Sequence, residues 1–264
     1  MIIDFHTHCF PDAVVDRAMA RLAPLSGASR PYTDGSGSGL VRAMDTAGVD
    51  RSVVLSIATN PRQQSAVNDF SLSLVGHPRL IPFGSVHPDA PDWAPELRRL
   101  RDGGIKGIKL HPDYQGFFVN EPRLRPLYET AAALGLITVF HAGVDIGLPD
   151  PVHCAPAALA EALPAFGGAH VVAAHFGGYL LWREVLQHLC GKELYFDTAT
   201  SARKMPPPWA KEILEAHGAQ RILLGSDLPW AEPSDEIFFL RQAGADDTEL
   251  SKILGGNAAK LLNI

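Results

Sequence analysis

Short apolar runs recur along the chain, each bounded by glycine, proline or polar residues, and the stretches between them carry helical periodicity. The runs predict strands at 2–6, 52–57, 80–86, 105–111, 136–141, 170–175, 194–197 and 221–225. From one strand start to the next the intervals are 50, 28, 25, 31, 34, 24 and 27 residues. All but the first suit one βα unit. Strands this apolar read as buried on both faces, as parallel strands are. Helices are predicted at 12–23, 40–47, 61–75, 93–102, 122–134, 155–165, 180–189, 208–216 and 233–243. Pro61, Pro122, Pro208 and Pro233 stand where helices begin, a position at which proline forfeits no helical hydrogen bond.

The pattern predicts an α/β fold, a single (β/α)8 TIM barrel spanning 1–264, with short C-terminal helices across its base. The first interval holds an extra helix and a Gly/Ser/Pro-rich stretch at 24–39, expected to form a mobile flap over the catalytic face. A doubly wound open sheet is the alternative, but no G-x-G-x-x-G follows strand one, and eight even units close naturally.

Eleven histidines occur, and six of them (His6, His8, His87, His111, His141 and His175) fall at or just past the C-terminal ends of predicted strands. In a barrel those ends gather at one face, where active sites of this fold lie. His6 and His8 are one residue apart, so strand alternation lets both imidazoles reach one ion. Asp227 ends strand eight, Lys109 and His111 share a face of strand four, and Asp197 ends strand seven as a candidate to orient a neighbour. His77, His153, His170, His188 and His217 receive no function.

Composition narrows the class without choosing a reaction. The net charge is −6 with no basic block, which points away from nucleic acid and anionic membrane. No apolar run approaches the roughly 20 residues of a membrane span. Three cysteines, Cys9, Cys154 and Cys190, with no C-x-x-C spacing and no signal-peptide pattern, suit reduced thiols in a cytoplasmic protein. Cys9 is expected to point away from the ligand face and to pack.

The ordered segments Asp4-Phe5-His6-Thr7-His8, Gly107-Ile108-Lys109-Leu110-His111-Pro112, Phe140-His141-Ala142-Gly143, Ala174-His175-Phe176-Gly177-Gly178 and Gly225-Ser226-Asp227-Leu228-Pro229-Trp230 resemble the amidohydrolase superfamily. Within it they are most similar to the amidohydrolase-related branch that includes aminocarboxymuconate semialdehyde decarboxylase-like proteins, as does the ending at 255–262. The resemblance implies metal ligation by His6, His8, His141 and Asp227, with His175 and Asp227 catalytic. It also implies a single divalent ion, with zinc expected first and manganese or iron as alternatives. Lys109 is then an unmodified lysine facing a substrate anion, although some superfamily members carry a carboxylated lysine bridging two metals. The branch often forms homodimers.

The expected activity is hydrolysis of a small carbonyl substrate (an amide, lactone or ester) by metal-activated water. The alternative is nonoxidative decarboxylation of an unsaturated or aromatic carboxylate, and a third reading is an inactive barrel serving as a binding protein. Substrate contacts are expected from Lys109, His111, Tyr114, Arg183 and Trp230, with Arg62 a further cation and Phe117, Phe118 and Trp182 further aromatic walls.

Overall fold

The computed structural model describes residues 1–28 and 30–264. Its strands follow in chain order: β1 (Ile3–Thr7), β2 (Arg51–Leu55), β3 (Leu80–Phe83), β4 (Gly107–Leu110), β5 (Ile137–Phe140), β6 (Val171–Ala173), β7 (Tyr195–Asp197) and β8 (Ile222–Leu223). β1–β2–β3 and β4 through β8 form two runs of parallel neighbours. A parallel bridge between Gly84 and Ile108 joins β3 to β4, and another between Thr7 and Leu228 returns the chain end to β1. Phe5 N–H also donates to the Leu224 carbonyl at 2.7 Å. The ring closes. This is the (β/α)8 barrel that the apolar runs predict; in β2 through β6 and β8 the last residues of the run leave the sheet, whereas β1 and β7 stay in it to the end of theirs.

Side chains from β1, β2, β3, β5, β6 and β8 fill the interior, with Phe5, Val53, Phe83, Val139, Val172 and Leu223 among them. Phe5 meets Phe83 edge to face at 5.7 Å. The opposite face of each strand packs under the surrounding helices, where Ile108, Phe140, Phe196 and Ile222 belong to a second, larger cluster. The chain's tail closes the base: helix Asp247–Ser251, a π turn at Lys252–Gly256 and helix Asn257–Leu262 place Ala258, Leu261 and Leu262 against the interior cluster. Asn257 donates to the Ala219 and Ile222 carbonyls, both at 2.7 Å. A Cβ on Gly255 would stand 2.1 Å from the Met1 carbonyl oxygen, so only glycine lets the tail cross the amino terminus this closely.

The long first interval holds α1 (Val15–Leu22) and α2 (Gly37–Ala47). Ser36 caps α2 by accepting the Gly39 N–H, and Gly48 ends it at φ 68°. α1 buries no residue in the protein core. It lies across the mouth of the barrel, and the expected flap is therefore this helix together with the stretch after it, of which Ser29 lies outside the described residues. Among the described residues no helix is long and apolar enough to cross a membrane.

Candidate metal centre and active site

A local irregularity in β1 builds the centre. Asp4 pairs with Ser52 and Thr7 with Val54, so Phe5 and His6 together oppose Val53 alone. Such a bulge resets the alternation of side chains. Phe5 turns into the apolar interior while the next residue, His6, comes within 3.5 Å of Lys109 Nζ on β4. Asp4 ties this bulge to the end of β8 by accepting from Ser226 N–H at 2.9 Å and Ser226 Oγ–H at 2.5 Å. Burial raises the Asp4 carboxyl to about 7. Gly225 must be glycine for the same junction, because a Cβ there would lie 2.9 Å from His6 Cβ.

Ligating atoms of His6, His8 and Asp227 all lie within 4.8 Å of one another. Their hydrogen bonds test whether they suit an ion. His8 Nδ1 is 2.8 Å from the Leu55 carbonyl oxygen, which can only accept, so in the neutral ring the proton sits on Nδ1 and Nε2 is bare. His6 Nδ1 donates to Asp197 Oδ2 at 2.9 Å and leaves its Nε2 bare as well. Both bare nitrogens face Asp227 Oδ1, at 3.0 Å for His8 and 3.5 Å for His6. Three lone-pair donors turned toward one space repel unless a cation sits among them. The donor set fits a divalent metal.

Electrostatics agree. Burial, with a smaller push from Lys109, lowers His6 to about 4, so it is the neutral imidazole a metal requires. Burial raises the Asp227 carboxyl, but the neighbouring His6 and His8 imidazoles outweigh it and hold the carboxyl far below the usual carboxylate range. Asp197 serves from behind: one oxygen takes the His6 ring, and the other accepts the His175 and Ala199 N–H groups at 3.0 and 3.1 Å. Asp227 and His175 both adopt left-handed backbone, φ 75° and 60°. That conformation costs about 1–3 kcal/mol per residue and is held here by backbone hydrogen bonds such as Asp227 N–H to His6 O at 2.8 Å.

His141 stands one ring farther out than the resemblance implies. Its Nδ1 lies 3.0 Å from His175 Nε2, while its Nε2 edge groups with His111 and Asp145 rather than with the His6–His8–Asp227 trio. His175 Nδ1 is 2.9 Å from the Ala199 carbonyl oxygen, which leaves its Nε2 facing His141. Lys109 is buried between these groups, and that burial lowers its amine to about 8.

The centre opens into a cavity of about 930 Å³ lined by His6, His8, Lys109, His141, His175 and Asp227. His111, Tyr114 and Trp230 also line it. Arg183 does not, which corrects its reading as a substrate contact. Helix Trp182–His188 turns it outward, where it pairs with Glu212 at 2.9 Å and lies over Trp209. Arg62 is also absent from the described lining. Phe117 and Trp182 pack in the core instead, and Phe118 stacks on His153 at the surface. Lys109 reaches the cavity as expected; the other cations that line it were missed: Arg17 and Arg21, one helical turn apart on α1, Lys204, and Arg203, anchored on the Trp230 carbonyl. Only the i, i+4 spacing of Arg17 and Arg21 beside the apolar Val14, Ala18 and Leu22 hinted at a shared face.

A family model described as Amidohydrolase matches residues 3–264. Among curated proteins, none matches the chain. Solved structures share the fold over its whole length. 5-Carboxyvanillate decarboxylase from Sphingomonas paucimobilis superposes with a TM-score of 0.75 at 16% identity, covering 100% of this chain and 99% of its own. An uncharacterised TIM-barrel protein from Bordetella bronchiseptica gives 0.74 at 21% identity, covering 99% and 98%. Dihydroxybenzoic acid decarboxylase from Polaromonas sp. JS666, with bound manganese and the inhibitor 2-nitroresorcinol, gives 0.70 at 16% identity, covering 99% and 96%.

Proposed function

The chain belongs to the amidohydrolase family and is a metal-dependent enzyme of that superfamily, and from this premise we propose that it is a nonoxidative decarboxylase of an aromatic or similarly unsaturated carboxylate. This reverses the order in which the residues alone ranked hydrolysis and decarboxylation. The observation that carries the reading is the cavity wall: Arg17, Arg21 and Arg203, with Lys109 and Lys204, line the pocket that holds the His6–His8–Asp227 centre. Attack on a neutral amide or lactone needs no such cations, whereas a substrate carboxylate does. The resemblance in fold to two decarboxylases of carboxylated phenols supports the same class.

We take the ion to be manganese, as in the Polaromonas structure, because two imidazoles and one carboxylate leave room for several oxygen ligands. When bound, it supplies positive charge that anchors the substrate oxygens and stabilises negative charge on the ring. His6 and His8 hold it, with His141 adjacent, and Asp197 keeps His6 in the ligating tautomer. Tyr114 and Trp230 flank the space for a flat ring, and Lys109 faces it as a free amine. His175 keeps its Nδ1 proton on Ala199 and carries the mobile proton at Nε2. That proton passes to the ring carbon bearing the carboxylate. The bond to the carboxylate carbon then breaks, its electron pair returns to the ring, and carbon dioxide leaves.

The test is a panel of hydroxylated benzoates against small lactones and amides, assayed with manganese-loaded protein. Carbon dioxide released in step with a decarboxylated phenol is the expected result. Acid release from lactones or amides, with no carbon dioxide from any benzoate, restores the hydrolase. Two tightly held metal equivalents with a carboxylated Lys109 would do the same.

A further inference from the structure

The cavity is larger than a single ring needs. A hydroxylated benzoate is one ring with its substituents, whereas about 930 Å³ approaches the upper end of the roughly 300–1,000 Å³ of pockets that enclose drug-sized ligands. What the remaining space takes follows from how its walls divide. β4 to β8 and the loops after them bring polar and charged groups, Lys109, His111, His175, Arg203, Lys204 and Asp227 among them.

The wall on the side of β2 is apolar. It runs from β2 to the helix Gln64–Ser73, and Leu55, Ile57, Ala66, Val67 and Phe70 line it. Among the described residues, nothing charged between 55 and 70 reaches the lining. Polar groups on this wall are engaged with the protein. Thr59 Oγ1–H donates to Gln63 Oε1 at 2.9 Å, Ser56 Oγ accepts from Ser71 Oγ–H at 2.9 Å, and Asn60 Oδ1 accepts the Arg62 N–H at 3.1 Å.

α1 adds a second apolar surface. Val14, Ala18 and Leu22 recur every fourth residue and so share one face of the helix. Such a face ordinarily packs on a core. This one lines the cavity, and α1 buries none of its residues. Phe10 before the helix and Leu25 after it extend the same surface. Two apolar surfaces that border one open cavity are stabilised by an apolar group that takes the place of water between them.

We propose that the substrate is an aromatic or similarly unsaturated carboxylate carrying an apolar substituent, a chain of several carbons or a second ring, held between α1 and the helix Gln64–Ser73. The carboxylated end lies at the metal centre, and the substituent extends toward Val67 and Phe70. For its chemistry this rests on the decarboxylase reading above. The apolar subsite itself binds without turnover.

Alkylphenols, the products such a reaction releases, test the subsite apart from the chemistry. Titration calorimetry on manganese-loaded protein follows two series, with the chain meta or para to the hydroxyl and lengthened from methyl to hexyl. In at least one series affinity is expected to rise about three- to fourfold for each added methylene, with a heat-capacity change that grows more negative. Val67→Trp fills the space and abolishes the dependence on chain length. Ala66→Trp, at an exposed position of the same helix, does so where the first variant fails to fold. The matching alkyl hydroxybenzoates, assayed for carbon dioxide, show kcat/KM rising in step with affinity. Affinity that is flat or falls with chain length in both series overturns the proposal, and a flat result from protein that sediments as a dimer gives the apolar wall to a second copy of the chain. A gain that survives the tryptophan variants places the chain elsewhere and overturns it too. A gain in affinity with no carbon dioxide from any benzoate removes the decarboxylase and leaves the apolar subsite standing.

Discussion

The two ends of the barrel are built from the same strands and are stabilised in opposite ways. At the base, Ala258, Leu261 and Leu262 plug the interior, and Asn257 is held by two strand carbonyls. At the mouth, His6, His141, His175, Lys109 and Asp197 are just as buried, yet bare nitrogens of His6 and His8 face a carboxylate. His217 makes the contrast sharp because it is the same residue type in the other regime. Its Nδ1 accepts the Gly191 N–H at 3.2 Å, its Nε2 meets the Leu194 carbonyl at 3.0 Å, and its ring stacks on Phe196 at 4.0 Å. Nothing is left over for a ligand. A buried histidine is a candidate ligand here when one nitrogen is pinned and the other is not.

If the ends differ in this way, substitutions should separate function from stability. Asp227→Asn should lower kcat on the order of 10³-fold, a cost of about 4 kcal/mol in the transition state, and reduce bound metal. Its thermal midpoint without metal should stay within a few degrees of the wild type. Leu262→Ala should do the reverse, losing about 2–4 kcal/mol in urea unfolding with kcat per folded molecule unchanged. A Leu262→Ala protein that keeps its stability but loses activity would break the division between the ends.

How far the sequence revealed each end follows from the range of the forces involved. Strand runs such as 136–141 and the histidines that terminate them are written locally, as an apolar stretch followed by a polar residue and glycine, so the barrel and the gathering of His6, His8, His141, His175 and Asp227 at its mouth were legible. The bulge at Phe5 and His6 was not, because it depends on the register against Val53. Arg183 follows His175 closely in sequence, but the rotation of one helix sends it to Glu212, whereas Arg17 and Arg21 reach the cavity by the way α1 folds back over the mouth.

The pH dependence of stability sharpens the contrast through His217. Burial lowers its folded value to about 4, beneath the ordinary 6.5 that it regains on unfolding. The unfolded chain therefore binds the proton first. The stabilisation is present above pH 6.5 and is lost as the pH falls toward 4. Between pH 7 and 4.5 the linkage amounts to roughly 2 kcal/mol. Urea unfolding of His217→Gln at both values should show a fall in stability smaller by about that amount. An identical fall in both proteins would mean that His217 is protonated in the fold, and the distinction drawn from its two paired nitrogens would fail.

The smallest effect expected is at the rim, where α1 belongs to neither end's core. Arg17 and Arg21 share a helical face toward the cavity, while Arg42, Arg79, Arg99 and Arg123 each hold a carboxylate elsewhere on the surface. A guanidinium with no protein carboxylate to neutralise it is free for a substrate's, but it is solvated, so much of its attraction is screened. Arg21→Ala should therefore raise KM for a carboxylated substrate about tenfold, near 1.4 kcal/mol, and leave kcat within a factor of about two. Raising the salt concentration should shrink the difference between the two proteins, because the screening acts on the wild type's contact alone. A change confined to kcat, or one insensitive to salt, would place Arg21 with the reacting groups below it and not with the rim.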